Sequence, residues 1–227
     1  MKKNRILFVT GARPNLVKLA PIYRYFKKRR EFKLSFLHTN QHSNKSLFYN
    51  QLKDLNLPFP QRTIKKSFFT SDVEMITYLI NKVYFFLKKN KPDYVMVFGD
   101  VDSTLATTLA ASRLFIPVIH IESGLRSRYL NSKEEINRRV TDKLSKLNFA
   151  PTPNALKNLQ IEGFKKNSFY VGNIIIENFF NLKNKISLSK ILKKLKLQKY
   201  EYILITLHRY QNIDNKNQLK KIINKIE

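Results

Sequence analysis

The chain contains no cysteine and no tryptophan, and only 5 of its 227 residues are glycine. The absence of cysteine excludes disulfide bonds, thiolate metal sites and cysteine nucleophiles, and it fits a reducing compartment. No run of about 18 apolar residues is free of charge, so we expect no helix that spans a bilayer. The apolar run that begins at Ile6 is cut short by Arg13 and Pro14, so we expect no signal peptide and a cytoplasmic location.

Acidic residues are also scarce, because 16 Asp and Glu stand against 43 Lys and Arg and give a net charge of +27. Such a charge attracts nucleic acid, anionic lipid or an anionic small molecule. The basic residues are spread along the chain as Lys-Lys pairs and do not collect on one element. This spread favours a compositional bias over a specific nucleic-acid interface. Hydrophobic residues make up 43% of the chain, which predicts a folded core.

Short apolar runs alternate with amphipathic segments of helix length. Unbroken apolar strands separated by helices predict a parallel sheet covered on both faces, in a doubly wound, Rossmann-like α/β domain. We expect strands at 6–9, 34–37, 94–98, 117–121 and 147–150, and helices at 16–26, 73–87, 103–114 and 134–147.

The composition changes near Gly172, after which two basic segments, 173–185 and 187–195, have helical spacing. An apolar run at 202–207 predicts a strand, and a helix is expected at about 216–226. One strand and one helix do not close a core of their own. The sequence therefore predicts a Rossmann-like domain over 1–172, and over 173–227 interdomain helices and the start of an incomplete second domain.

Three of the five glycines, Gly11, Gly99 and Gly124, lie just beyond predicted strands. Ligands of open α/β sheets bind at this carboxyl edge. The residues beside these glycines include two carboxylates and several cations: Arg13, Lys18, Asp100, Glu122 and Arg126. No G-x-G-x-x-G or P-loop motif is present, so a dinucleotide cofactor is not expected.

Three of these residues, Arg13, Asp100 and Glu122, each have two interpretations. Arg13 stands at the start of a helix, where it either binds a phosphate or is a solvated side chain. Asp100 either carries out chemistry or caps the next helix. Glu122 ends an apolar strand, so its carboxylate needs either a partner, for which Arg126 and Arg128 are candidates, or a function.

Two further candidates are Glu134 and His208. Glu134 lies in the string KEEINRR at 133–139, which also reads as an ordinary helix start with favourable acidic residues. His208 follows the predicted strand at 202–207 and is either a solvated loop residue or part of an interdomain acid/base site. The other histidines lack metal-ligand spacing, so no metal is expected.

Taken in order, the strings of the chain resemble those of the non-hydrolysing UDP-N-acetylglucosamine 2-epimerases. The resemblance extends from about residue 5 to the C-terminus. The strings are GARP (11–14), KLAP (18–21), QH (41–42), GDVDSTLA (99–106), HIESGLR (120–126), EEINR (134–138) and TLHR (206–209).

The resemblance implies two glycosyltransferase-B-like Rossmann domains that hold a nucleotide sugar, and interconversion of UDP-N-acetylglucosamine and UDP-N-acetylmannosamine without metal or nicotinamide. In that family a proton leaves C2 of the sugar as UDP is eliminated, and the proton and UDP are then added back. The resemblance also implies a homodimer. It places Asp100, Glu122, Glu134 and His208 on catalytic positions, and Arg13, Lys18 and Arg138 on substrate-binding positions.

Three alternatives stay open at this stage. The rest of the family's second domain is missing, which is also consistent with an inactive, truncated remnant of the enzyme. A hydrolysing epimerase that releases free N-acetylmannosamine and UDP is a second alternative. A nucleic-acid binder is the third, and it rests on the net charge alone.

Overall fold

A computed structural model of the chain contains one seven-stranded, entirely parallel sheet with the strand order β3-β2-β1-β4-β5-β6-β7. The structure describes residues 3–40, 45–65, 67–127, 129–130, 132–207 and 215–226, without the side chains of Arg13, Lys45 and Ser46. The strands are β1 (Asn4–Thr10), β2 (Phe32–His38), β3 (Arg62–Thr63), β4 (Tyr94–Phe98), β5 (Val118–Ile121), β6 (Leu147–Ala150) and β7 (Ser168–Tyr170). The predicted doubly wound α/β fold is confirmed.

Helices connect the strands and continue after the last one. Within the described residues, none of them is long and apolar enough to cross a membrane. They are α1 (Arg13–Lys27), α2 (Lys45–Asp54), α3 (Asp72–Asn90), α4 (Asp102–Arg113), α5 (Lys133–Leu144), α6 (Pro153–Ile161), α7 (Ile174–Ser187), α8 (Ile191–Leu195) and α9 (Lys216–Ile223), with a 3-10 turn at Lys165–Asn167.

Local sequence explains where several helices begin. The hydroxyl of Ser71 caps α3, that of Ser132 caps α5 and that of Thr152 caps α6, each by accepting a hydrogen bond from a backbone amide of the first turn. Such caps satisfy amides that have no partner inside the helix. Helix α5 ends at Leu144, three residues before its predicted end, because the chain enters β6 at Leu147.

The two faces of the sheet are packed differently. On one face, apolar residues of β1 and β4 pack against α3 and α4, where small alanines let α4 approach the strands closely. On the other face, the ring of Phe8 in β1 contacts Tyr23 and Phe26 of α1 at centroid distances of 5.8 and 6.3 Å. Burial of such side chains supplies about 1.5–3 kcal/mol each, which holds the strand ends in fixed positions.

The strand order reverses between β1 and β4, since β2 lies on one side of β1 and β4 on the other. At such a switch point the loops that follow the two strands diverge and leave a crevice at the carboxyl edge. The loops after β1, β4 and β5 carry the sequence-predicted candidates.

The predicted strand at 202–207 is wrong, because the structure shows no strand there. Ile203 and Leu204 are 87% and 81% exposed. The chain divides by its contacts into two units, one ending at Asn181 and one beginning at Leu182. In the described part of the second unit there is no strand with which 202–207 can pair, and an isolated strand leaves its peptide groups without partners.

Candidate active site

Glu122 follows β5 directly and forms an ion pair with Lys18, which α1 carries one turn after its start. Both side chains are largely buried, at 19% and 10% exposed. Glu122 adopts a left-handed backbone conformation with φ of 70°, which turns the chain sharply after the strand. The expected partners of Glu122 were Arg126 and Arg128. The first is wrong, because Arg126 pairs with Asp142 and Glu162, and Arg128 lies outside the described residues.

Asp100 lies just beyond β4 and forms an ion pair with Arg138 of α5. The amide nitrogen of Asn137 donates to the backbone oxygen of Asp100 at 2.9 Å, and to the Asp102 carboxylate at the same distance. The helix that follows Asp100 has Val101 at its N-cap and no side-chain cap. Asp100 therefore does not serve as a helix cap, and its carboxylate is 28% exposed beside a cation.

Gly99 brings these two ion pairs to the same edge of the sheet. A Cβ atom at Gly99 would lie 3.0 Å from Lys18 Nζ and 3.2 Å from Glu122 Oε2. The residue also has φ of 63°, a conformation that side chains disfavour. A glycine here leaves room for the Lys18–Glu122 pair directly beside the backbone that leads to Asp100.

Asn15 joins the loop after β1 to the end of β4. Its side-chain oxygen accepts hydrogen bonds from the amides of Gly11 and Ala12, both at 3.1 Å, and its amide nitrogen donates to the Phe98 oxygen at 3.1 Å. Asn15 is 2% exposed. The sequence analysis missed this residue, although an asparagine in the first turn of a helix after a strand is a signal of a local backbone contact.

Glu135, also missed, is completely buried. Its carboxylate accepts from the Ser127 amide at 2.9 Å, Arg138 at 3.2 Å and Arg139 at 2.8 Å. The predicted catalytic residue Glu134, its neighbour, is exposed, and its side chain has no ion pair with any residue that the structure describes. Glu135 thus orients Arg138, which in turn contacts Asp100.

A buried network lies below these loops. His120 and Asp142 are both fully buried, with Nδ1 of His120 2.6 Å from the Asp142 carboxylate. Arg126 contacts the same carboxylate at 2.8 Å and binds Glu162 through two nitrogens. Burial raises the pKa of Asp142, but the hydrogen bonds and charges of His120 and Arg126 outweigh it and leave this pKa below its usual value.

The other predicted site residues are described only in part or not at all. Arg13 begins α1, and its side chain is not described. His208 lies outside the described residues. The structure therefore brings together Lys18, Glu122 and Gly99, and next to them Asp100 with Arg138.

An apolar groove of about 810 Å³ crosses the α1 face of the sheet. Its floor includes Met96, Ile119 and Phe149 of the strands, and α1 and α7 contribute to its walls. Among the ion-paired residues of the edge, Glu122 alone lines it. The polar edge therefore opens on one side into an apolar surface.

The geometry suits acid/base chemistry on an anionic substrate. Two partly exposed carboxylates lie at the carboxyl edge, and each is bonded to a cation. Carboxylates accept and return protons, while Lys and Arg bind phosphate groups.

Comparison with known proteins identifies the family of the chain. A curated relative from Methanococcus maripaludis, called a UDP-N-acetylglucosamine 2-epimerase homolog, is 37% identical over 97% of this chain and 61% of its own length. The UDP-N-acetylglucosamine 2-epimerase of Methanocaldococcus jannaschii is 39% identical over 96% of this chain and 60% of its own length. The chain thus spans about three fifths of the length of these relatives.

A crystal structure of the Methanocaldococcus jannaschii UDP-GlcNAc 2-epimerase in complex with UDP-GlcNAc and UDP matches with a TM-score of 0.90. The identity is 36%, and the match covers 98% of this chain and 61% of that chain. The sequence model of the UDP-N-acetylglucosamine 2-epimerase family matches residues 24–227. The chain therefore belongs to the UDP-N-acetylglucosamine 2-epimerase family.

Proposed function

We propose that this chain is part of a non-hydrolysing UDP-N-acetylglucosamine 2-epimerase, an isomerase that interconverts UDP-N-acetylglucosamine and UDP-N-acetylmannosamine. The observation that carries the proposal is the meeting of two cation-bound carboxylates, Asp100 and Glu122, at the carboxyl edge of the sheet. The family match over residues 24–227 supports it.

In the proposed reaction, a carboxylate removes the proton from C2 of the sugar while the C1–oxygen bond to UDP breaks. The products of this step are 2-acetamidoglucal and UDP. UDP then adds back to C1, and a second acid delivers a proton to the opposite face of C2. Because removal and return occur on opposite faces, the step needs groups on both sides of the ring, for which Asp100, Glu122, Glu134 and His208 are the candidates.

Lys18 and Arg138 connect substrate binding to this chemistry. In the free chain Lys18 is paired with Glu122, and Arg138 is paired with Asp100 and with Glu135. A diphosphate competes for the same cations, since phosphate oxygens are strong acceptors for Lys and Arg. We propose that substrate binding draws Lys18 and Arg138 towards the diphosphate and leaves Glu122 and Asp100 free to take a proton. The cations then stabilise the charge of the departing UDP.

The experiment is incubation of the full-length protein to which this chain belongs with UDP-N-acetylglucosamine in D2O, followed by proton NMR. We expect loss of the C2 proton signal and formation of the manno isomer. Complete retention of hydrogen at C2 would overturn the proposal. Appearance of free N-acetylmannosamine would identify the hydrolysing reaction in its place.

The variants Glu122→Gln and Asp100→Asn keep the shape of each side chain and remove its charge. We expect each to slow exchange at C2 by about 100-fold or more, as for the loss of a general acid or base. A matched control is Glu31→Gln, because Glu31 is exposed and lies at the opposite, amino edge of the sheet. Equal rates in all three variants would remove Asp100 and Glu122 from the mechanism.

Two predictions from the resemblance remain part of the proposal. We propose that the segment 173–227 begins a second Rossmann-like domain and that the protein forms a homodimer. Light scattering of the purified chain measures its mass, and a monomer at all concentrations would contradict the dimer.

A further inference from the structure

We propose that His120 is held as a doubly protonated imidazolium by the buried Asp142, and that this pair positions the two loops that carry Asp100 and Glu122. His120 is a positioning residue in this proposal, since it acts through the backbone of those loops. The catalytic consequence rests on the proposed epimerase function, whereas the protonation and the loop contacts do not.

The protonation follows from the contacts of the ring. Nε2 of His120 lies 2.8 Å from the backbone oxygen of Gly99. A carbonyl oxygen only accepts, so Nε2 must carry a proton. Nδ1 lies 2.6 Å from the Asp142 carboxylate, so one proton must lie between these two atoms as well.

The other contacts of Asp142 decide which atom holds that proton. Its second oxygen accepts from the Gly124 amide at 3.1 Å and faces Arg126 at 2.8 Å. Two donors on this oxygen, one of them a cation, favour the ionised carboxylate, so the proton resides on Nδ1 and His120 is positively charged. Arg126 contacts the pair directly and Glu162 binds Arg126, so the formal charges of these four residues cancel. Arg139 also faces Glu162, at 3.6 Å, and is itself paired with Glu135. A buried ion pair with such balance avoids an uncompensated charge.

This pair holds two loops at once. Nε2–H of His120 donates to the carbonyl oxygen of Gly99, and this carbonyl belongs to the peptide bond between Gly99 and Asp100. The Asp142 carboxylate holds the amide of Gly124, two residues after Glu122. Both loops contain left-handed residues, with φ of 63° at Gly99 and 77° at Gly124. Glycine adopts positive and negative φ about equally well, so glycine alone does not fix the direction of either loop. A contact from outside the loop is needed.

The first measurement is a long-range proton–nitrogen NMR spectrum of the histidine rings in the 227-residue chain, with His120 assigned by its loss in His120→Gln. We expect both ring nitrogens of His120 to have the shifts of protonated nitrogens. In Asp142→Asn we expect Nδ1 alone to lose its proton, since the neutral amide can then donate to it. A wild-type ring with an unprotonated Nδ1 would overturn the proposal, with no need for activity.

The loop contacts are tested by backbone amide shifts. The variants His120→Gln and His120→Asn differ in reach: the Gln amide can take the place of Nε2 and donate to Gly99, whereas the Asn amide can reach only the place of Nδ1. We expect the amide resonances of both Asp100 and Gly124 to shift in His120→Asn. In His120→Gln we expect the Asp100 amide resonance to stay close to its wild-type position. His38→Gln is the matched control, because His38 is also buried but contacts Thr10 and Phe48. Unchanged amides in His120→Asn would overturn the positioning role.

The kinetic readout is exchange at C2 in D2O. A catalytic group displaced by about 1 Å can lose about 100-fold in rate, so we expect a loss of this size in kcat for His120→Asn, with KM little changed and most of the rate restored in His120→Gln. A change in KM alone, or equal rates for the two variants, would contradict the positioning role. If the full-length wild-type protein shows no exchange, the proposed function fails, while both NMR measurements on the chain still decide this proposal.

Discussion

Glu134 and Glu135 are neighbours in the first turn of α5 but differ in burial, and this difference predicts losses of stability of different size when their side chains are removed. Both contribute to the favourable charge at the helix start, an effect of about 0.3–1 kcal/mol. Glu134 is exposed, so we expect Glu134→Ala to lower the free energy of unfolding by at most about 1 kcal/mol. If Glu134 is catalytic, the same variant abolishes exchange at C2.

Glu135→Ala removes a fully buried carboxylate that accepts from Ser127, Arg138 and Arg139. Removing one partner from a buried ion pair costs about 3–5 kcal/mol. Arg139 is 46% exposed and regains water when its partner is lost, which places the cost near the lower end. We therefore expect Glu135→Ala to lower the free energy of unfolding by about 3 kcal/mol.

Urea denaturation followed by circular dichroism measures both variants under one set of conditions. Glu135→Gln is a useful third variant, because it keeps an acceptor for the Ser127 amide and removes only the charge. Its stability should lie between those of wild type and Glu135→Ala. A Glu135→Ala variant as stable as Glu134→Ala would refute the argument, because it would mean that the buried carboxylate contributes nothing beyond its place at the helix start.

Three further predictions concern backbone space and pH. Gly99→Ala should lower the free energy of unfolding by about 1–2 kcal/mol because of the left-handed conformation of this residue. It should also displace the Lys18–Glu122 pair, and urea denaturation and the rate of exchange at C2 measure the two effects. Burial lowers the pKa of His38 to about 4. Between about pH 6.5 and pH 4 this histidine is therefore protonated in the unfolded chain but not in the folded one, and the free energy of unfolding should fall as the pH drops through this range. This fall should be absent in His38→Gln. The pKa of the Asp142 carboxyl is lowered in the folded chain. The ionised carboxylate therefore stabilises the fold above the pKa that this group has in the unfolded chain, and this stabilisation is lost as the pH falls through its pKa in the folded chain. Urea midpoints measured against pH should depend less on acid in Asp142→Asn.

The sheet and the edge where its loops meet could be predicted from the sequence. Strands β4 and β6 have the predicted bounds, 94–98 and 147–150. Each is a short apolar run between turn signals, and this pattern is set by nearby residues alone. The order of such units along the chain fixes a doubly wound topology through right-handed crossovers. The carboxyl ends of the strands, and the residues after them, then lie on one edge.

The partners of the charged residues could not be predicted in the same way. Lys18 and Glu122 are 104 positions apart, and Arg126 was nearer in sequence to Glu122. Whether Glu134 or Glu135 is buried depends on the rotation of α5 against the sheet, which the string KEEINRR leaves open. The apolar run at 202–207 has the composition of a strand, yet a strand also needs a neighbour, and no local pattern reports whether one exists.

The scarcity of acidic residues gives the arrangement at this edge further weight. The chain has 16 Asp and Glu against 43 Lys and Arg, so a carboxylate meets cations almost anywhere on the surface without special placement. The carboxylates of Glu122 and Asp100, however, are partly buried, and each is bonded to a particular cation. Partial burial of a charge is costly unless its partner is well placed, so composition alone does not produce these pairs. They are most simply explained by a site that needs carboxylates and must also bind an anion, because a diphosphate that takes the cations releases the carboxylates in the same step.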